Sequence, residues 1–300
     1  MSIQWKELEL SDRALVEHYY DREPFRNCEF TFANNYLWKP FYPAWIAVVE
    51  DSLVFLTKEE GVGTSVSFPQ GVQDLKKTVE ALAGWFEEQG LPFKMHLVSP
   101  QQFEKLTEAF PDRFQIEYDR DYADYVYDRE TLKNLSGKKM HGKKNHCNKF
   151  KKVYPDWSYE PITPQNVEEC MAMADEWWKK NDYGEGGEKE EEIAVTRSAL
   201  LNLESLGLSG GLLRAGGEVV AFTVGEPCGQ EMFVVHFEKA FSDVEGAYSM
   251  INQQFVEHVM DGYKYVNRED DAGSEGLRTA KLSYRPVFLM EKGLVTEATD

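Results

Sequence analysis

An α+β chain made of two consecutive mixed-sheet units is what this sequence predicts, on three observations. First, 300 residues with 42% hydrophobic and 13% aromatic content suit two cores of ordinary domain size better than one. Second, the order hairpin, helix, strand, helix, strand runs once through the first 128 residues and returns after them, which points to helices covering a sheet rather than to a bundle or a sandwich. Third, the charge inverts between the two runs. Residues 137–152, GKKMHGKKNHCNKFKK, hold seven lysines, two histidines and no acid in a chain of net charge −19. The expected division is therefore residues 1–128 and 129–300, the second unit opening on a lysine-rich linker helix over 129–152.

Residues 11–20 read as a helix capped by Ser11 or Asp12. An aromatic-rich stretch follows over 25–45, where Phe25, Phe30, Phe32 and Trp38 suit either core packing or the wall of a cleft. Alternation over 45–56, centred on Glu50, Asp51 and Ser52, predicts a β-hairpin, and 65–68 a further strand. Val72, Leu75, Val79, Leu82, Trp85 and Phe86 recur at spacings of three and four, the mark of an amphipathic helix, which Gly90 stops. A strand over 92–99, a helix with Ser99 as cap and Pro100 in its first turn, and strands over 113–118 and 122–128 complete the unit.

A single helix over 129–151 would pack Leu132, Leu135, Met140, Cys147 and Phe150 and turn its lysines outward. So many like charges repel one another, and an anion relieves that repulsion. Lys143 and Lys144 are thus candidates to hold a phosphate, whether of coenzyme A, a lipid headgroup or the acceptor stem of a tRNA; a solvated face is the alternative. Next come a helix over 164–180 capped by Thr163, with Val167, Cys170, Met171, Ala174, Trp177 and Trp178 inward, and a polar loop over 181–192 that reads as connector or lid. A helix over 193–206 precedes strands over 211–215, 219–226 and 231–238 in hairpin succession, then a helix over 249–260. A strand, turn and helix over 263–286 and a last strand over 288–295 would close the same sheet.

The acidic balance excludes general affinity of the whole surface for nucleic acid or anionic lipid. No apolar run approaches the roughly 20 residues of a membrane span, and the opening residues lack the pattern of a signal peptide, so the expected location is cytoplasmic with no integral membrane segment. Cys28, Cys147, Cys170 and Cys228 are scattered without a CxxC pair, which predicts neither a metal site nor disulfides. Cys170 is the expected core thiol, and the lysines around Cys147 are expected to lower its pKa.

The stretch over 263–286, YKYVNREDDAGSEGLRTAKLSYRP, is the densest in capable side chains. Arg268, Glu269, Asp270 and Asp271 end a strand, Gly273 and Ser274 make the turn, and a helix runs to Tyr284 before Pro286 stops it. Charged groups at the carboxyl end of a strand, facing a helix N-terminus, are where α/β folds place ligands. A solvated acidic turn is the alternative.

Three antiparallel strands, a glycine-containing loop, a helix, a parallel strand, a helix and a final strand is an order that resembles the acyl-CoA N-acyltransferase (GNAT) fold. That resemblance implies that the strand over 231–238, with Val234, borders a gap for the arm of a coenzyme A thioester. It also implies that Val244, Gly246, Ala247, Tyr248 and Ser249 form the loop and helix start that hold its pyrophosphate. The loop departs from the family pattern: Asp243 stands where Gln or Arg is usual, and Tyr248 where a small residue is. Longer stretches carry a second resemblance. VVHFEKAFSDVEGAYSMINQQF, YVNREDDAGSEGLRTAKLSYRPV and DYVYDRETLKNLSGKKMHGKKNHCNKF together resemble a bacterial family similar to the C-terminal domain of phosphatidylglycerol lysyltransferases. It covers residues 122–292 strongly and the first half loosely, and it implies two tandem GNAT-like domains with aminoacyl-tRNA as a second possible donor.

Acyl transfer needs a base, donors for the developing oxyanion and an acid for the leaving group. Tyr284, in AKLSY, is the leaving-group acid by its resemblance to a tyrosine of GNAT enzymes; Glu238 or Asp271 is the candidate base and His236 the second. Each is alternatively a satisfied core polar group. Arg268, Arg278 and Lys281 would bind substrate carboxylate or phosphate, or else neutralise the acids beside them. The expected function is movement of an acyl or aminoacyl group from acyl-coenzyme A or aminoacyl-tRNA to an amine or hydroxyl acceptor. A non-catalytic protein that binds RNA or a phosphate-bearing partner through its lysine helix is the alternative.

Overall fold

In a computed structural model that describes residues 3–22, 27–59, 61–181 and 188–298, the chain builds two seven-stranded mixed sheets. It divides into two units. One comprises Met1–Asp124, Asp270–Ser274 and Leu289–Asp300; the other comprises Tyr125–Glu269 and Glu275–Phe288. The chain passes from one unit to the other near residue 124 and returns to the first unit twice.

The first unit runs β1 (Lys6–Glu7), α1 (Arg13–Tyr20), α2 (Phe32–Trp38), β2 (Ala44–Val49), β3 (Ser52–Glu59), β4 (Gly63–Ser67), α3 (Leu75–Glu88), β5 (Lys94–Val98), α4 (Pro100–Ala109) and β6 (Phe114–Tyr118). The hairpin turn falls at Glu50 and Asp51, both left-handed at φ 48° and 58°, the backbone that matches the twist of the paired strands. Asp74 accepts from the Lys77 N–H at the start of α3, and Ser99 and Gln102 form a reciprocal capping box on α4. Val79, Leu82 and Phe86 of α3 pack with Val54, Val66 and Met95 of the sheet in one core. Within the aromatic stretch a helix forms that its composition hid: the Thr31 side chain accepts from the Asn34 N–H and caps α2. Phe30 and Phe32 are buried there; Phe25 lies outside the described residues.

The second unit is built on β7 (Asp124–Asp128, from Tyr125 on), α5 (Arg129–Asn134), α6 (His141–Val153), β8 (Ser158–Pro161), α7 (Val167–Lys180), α8 (Glu188–Leu201), α9 (Leu203–Leu206), β9 (Ser209–Ala215), β10 (Glu218–Pro227), β11 (Met232–Ala240), α10 (Ala247–Val259), β12 (Tyr265–Asn267), α11 (Glu275–Ser283) and the first residue of β13 (Phe288–Met290). Its sheet is ordered β13-β7-β12-β11-β10-β9-β8. Neighbouring side chains on a strand point to opposite faces. Glu238 meets Asn252 of α10 while Lys239 meets Glu192 of α8 and the Trp177 ring of α7, so helices cover both faces.

Several expectations need correcting. The helix over 129–151 is two helices, because Leu135 and Gly137 take left-handed backbone, φ 46° and 86°; the five residues assigned to its packed side are all buried. Asn166 rather than Thr163 is the cap residue of α7, and its side chain accepts from the Thr163 N–H. Residues 182–187 of the polar loop lie outside the described residues. The final strand splits, and its second part, β14 (Gly293–Glu297), enters the first sheet between β5 and β6, where Val295 pairs with Met95 and Ile116. Lys292 anchors it. Its ammonium is fully buried, 2.5 Å from Glu29, 2.7 Å from Asp124 and 3.6 Å from Asp270. Among the described residues no helix is long and apolar enough to cross a membrane.

Removing one partner of a buried ion cluster strands the others. Lys292→Met should cost about 3–5 kcal/mol by urea unfolding, and Lys292→Met with Asp124→Asn should recover part of that loss.

Candidate active site

The parallel pair β11 and β12 holds together through three rungs, ending at Val234 and Asn267. Beyond the last rung the two chains are joined by side chains instead. Arg268 Nη2 donates to Glu238 Oε1 at 2.6 Å, and Asn252 Nδ2 of α10 donates to Glu238 Oε2 at 3.0 Å. The Arg268 backbone is fixed on both sides, its N–H donating to the Tyr125 carbonyl and its carbonyl accepting from Lys281 Nζ at 2.6 Å. Thr223 stands directly across from Glu238 in the β10–β11 ladder, so their side chains share a face. Around this carboxylate three buried polar atoms have no hydrogen-bond partner: Arg268 Nη1, Asn252 Oδ1 and Thr223 Oγ1. A carboxylate only accepts, so the Asn252 amide must turn its nitrogen to Glu238 and leave its oxygen over.

Tyr284 lies on the same group of residues. Its ring is 4.6 Å from the Arg268 guanidinium carbon and 3.9 Å from Lys143 Nζ, and its hydroxyl donates to Ser249 Oγ at 3.3 Å. Burial pushes the phenol up to about 12, so it carries its proton at neutral pH. Lys143 reaches inward because α6 repeats Met140, Lys143, Cys147 and Phe150 at spacings of three and four. Burial, and then the Arg268 charge, hold its ammonium below the usual lysine range. Lys144 is exposed and stays outside this group. Cys147 is a correction: burial outweighs Lys151 and Lys143 and pushes the thiol up to about 11.

His236 is clamped between two carboxylates, Nδ1 2.7 Å from Glu269 Oε1 and Nε2 3.0 Å from Glu226 Oε1. Burial alone would lower its pKa, but the two acids more than reverse that and raise it to about 10. With both ring nitrogens donating it is an imidazolium and cannot serve as a base at neutral pH. The Glu269 backbone is left-handed at φ 57°, held by its N–H on Asn267 Oδ1; that turn aims its carboxylate at the histidine.

Asp271 belongs to the first unit, where it is fully buried, accepts from the Gly273 N–H and lies 3.5 Å from Arg120; the structure gives it a turn to hold. Lys281 is an inward brace on the strand end, its own carbonyl accepting from Tyr127 Oη at 2.8 Å. Arg278 is half-buried on α11.

The turn expected to hold coenzyme A packs against α6 and is flanked by acids. A Cβ on Gly246, at φ +87°, would meet the His146 carbonyl oxygen at 2.4 Å, so the close approach that this glycine permits is to α6. The Ala247 N–H donates to the Val244 carbonyl. Acids flank the turn, Asp243 paired with Lys180 and Glu245 with Lys149, while Tyr248 Oη accepts from Trp177 Nε1. Val234 is in register with Glu226 on one side and, at the last rung between β11 and β12, with Asn267 on the other, so it borders the point where those two strands stop pairing. As for metal ligands, Cys28, Glu29, Asp124 and Asp270 of the first unit bring ligand atoms within 4.8 Å of one another, but the ammonium of Lys292 takes the cation's place among them.

Thr223, Glu226 and Asn252 did not stand out in the sequence. Asn252 had a signal, since Ser249, Asn252 and Val256 form one buried line on α10. Thr223 in a strand of valines and alanines had none.

A family model described as "Phosphatidylglycerol lysyltransferase, C-terminal" matches residues 21–293. A crystal structure of a conserved protein of unknown function from Bacteroides thetaiotaomicron is similar at TM-score 0.94 and 39% identity, covering 99% of this chain and 100% of that one. The C-terminal domain of a proposed lysylphosphatidylglycerol synthetase from Agrobacterium fabrum is similar at TM-score 0.69 and 13% identity, covering 96% and 92%; at that identity the likeness speaks for fold alone. An uncharacterised protein of Mycoplasmoides gallisepticum is 27% identical over 181 residues, 58% of this chain. The chain covers 56% of the length of that curated relative. The fold is that of tandem GNAT-like domains.

Because the folded pKa of His236 lies above its unfolded value, its contribution is full below about 6.5 and is lost as the pH rises through about 10. His236→Gln should therefore lower stability by about 3 kcal/mol at pH 6, and the gap from the parent protein should shrink steadily above neutrality in denaturant titrations.

Proposed function

Since the chain belongs to the phosphatidylglycerol lysyltransferase C-terminal family, an acyltransferase-like family, we propose that its second unit moves an aminoacyl group from an aminoacyl-tRNA ester to an amine or hydroxyl acceptor. The observation that carries this reading is the set of three unpartnered polar atoms around Glu238. Buried polar groups are almost always paired, so a donor, an acceptor and a hydroxyl able to do either, left over together, mark a place for a ligand with both kinds of group. An α-aminoacyl ester has them: its ammonium suits Glu238, Asn252 Oδ1 and Thr223 Oγ1, and its carbonyl oxygen suits Arg268 Nη1.

In this reading Arg268 holds the carbonyl oxygen as negative charge develops on it. Tyr284, protonated at neutral pH, gives its proton to the leaving ribose oxygen. Glu238 orients the donor's amino group and stays ionised. The exposed lysines of the segment before and within α6, Lys138, Lys139, Lys144 and Lys152, supply the cationic surface that a tRNA acceptor stem requires. The same lysines favour a second reading, in which the protein binds RNA without turning it over.

The test is turnover of lysyl-tRNA in the presence of phosphatidylglycerol vesicles or a panel of free amines. Tyr284→Phe should lower kcat by about 10²-fold with little change in tRNA binding, and Arg268→Lys should lower it by a similar factor of about 10²–10³. Salt-sensitive tRNA binding with no transfer to any acceptor would favour the second reading. Turnover of acetyl-coenzyme A in its place would overturn the choice of donor.

A further inference from the structure

Transfer to an amine or hydroxyl releases a proton from the attacking atom, and the acids first considered are not placed to take it. His236 already donates from both ring nitrogens, Asp271 caps a turn of the first unit, and both oxygens of Glu238 are engaged by Arg268 and Asn252. Lys143 differs from the other lysines of its segment. It occupies the inward line of α6 between Met140 and Cys147, is half-buried, and sets Nζ 3.9 Å from the centre of the Tyr284 ring. The guanidinium of Arg268 lies against the same ring at 4.6 Å.

Two cations thus share one aromatic ring beside a single carboxylate, Glu238, and the arrangement is relieved if one of them gives up its proton. Arg268 cannot, because its guanidinium stays charged throughout the accessible pH range. The charged and titratable groups that face Lys143 are Arg268 after β12, Glu238 on β11, Tyr284 after α11 and Cys147 on its own helix. Burial and Arg268 disfavour the ammonium, Glu238 and Cys147 favour it, and the balance falls on the neutral side of an ordinary lysine.

We propose that Lys143 is the general base of the transfer, its neutral amine taking the proton from the acceptor's attacking amine or hydroxyl. This assignment rests on the aminoacyl-transfer reading of the same site. The acceptor's nitrogen or oxygen forms a bond to the ester carbonyl carbon, and the bond from that carbon to the ribose oxygen breaks. The proton of the attacking atom goes to Lys143 Nζ, and the phenol of Tyr284 supplies the proton that the leaving oxygen takes up. Lys143 then returns its proton to the phenolate beneath it, so the site is restored and nothing is oxidised or reduced.

The first experiment needs no substrate. Trace acetylation of the intact protein with acetic anhydride across the pH range, read by mass spectrometry, compares Lys143 with exposed Lys144. Lys143 should reach half-maximal labelling at least about one pH unit lower, a tenfold larger neutral fraction at a given pH; coincident midpoints overturn the proposal. The second uses lysyl-tRNA turnover. A base cannot be replaced by a permanent cation, so Lys143→Arg should lose as much kcat as Lys143→Met, about 10²–10⁴-fold, with both variants binding tRNA. Retained kcat in Lys143→Arg would leave only a charge at this position and overturn the proposal. If the parent protein turns over no lysyl-tRNA, the transfer reading fails by itself and the base assignment falls with it, whereas a labelling midpoint equal to that of Lys144 removes the base and leaves the transfer reading standing.

Discussion

The ion pair between Glu238 and Arg268 is the interaction on which the second unit's site depends. It sits where β11 and β12 stop pairing, at a sheet end that would otherwise have an uncompensated gap between strands. Two charges taken out of water are costly, and the attraction between them offsets that cost only when the geometry is good and the remaining lone pairs are used. Here Asn252 uses the second carboxylate oxygen, while Tyr125 and Lys281 fix the backbone that carries the arginine. A residue held so firmly can leave one guanidinium nitrogen unused at a defined place, which is what orienting a ligand requires.

A second cluster, His236 between Glu226 and Glu269, lies on the same stretch of strand and does a different job. Two acids and one imidazolium leave a net negative charge there, whereas Arg268 and Glu238 balance each other. In the proposed transfer the carboxylates of this unit act by position and charge, and proton movement falls to the phenol and the amine.

Much of the fold was legible in the sequence because its signals are local. The spacing of Val79, Leu82 and Phe86, the Ser99 and Gln102 caps and the turn at Glu50 and Asp51 depend on residues within a turn or two of one another, and each produced the element expected. What was missed depended on distant partners. Nothing near Leu135 indicates a left-handed residue, so one helix was expected where two form. The C-terminal strand was assigned to the nearer sheet because its pattern of alternation fits either, and only the burial of Lys292 among Glu29, Asp124 and Asp270 decides it. In the site, Arg268 and Glu238 could be singled out from the charged strands that carry them, and Tyr284 by the resemblance of AKLSY to GNAT enzymes. Asp271, three residues beyond Arg268, looked equivalent, but a left-handed turn at Glu269 and another at Ala272 separate their environments. Gly246 makes room for a neighbouring helix, a distant contact that its local sequence does not show.

The insertion of β14 between β5 and β6 also governs the order in which the molecule can be assembled. Every strand of the second sheet precedes residue 293 in the chain, whereas the first sheet lacks an interior member until that point has been synthesised. During translation β5 and β6 must wait, each with an open edge, while the middle of the polypeptide is already able to fold. The earliest-made sheet is therefore the last to have all its strands available.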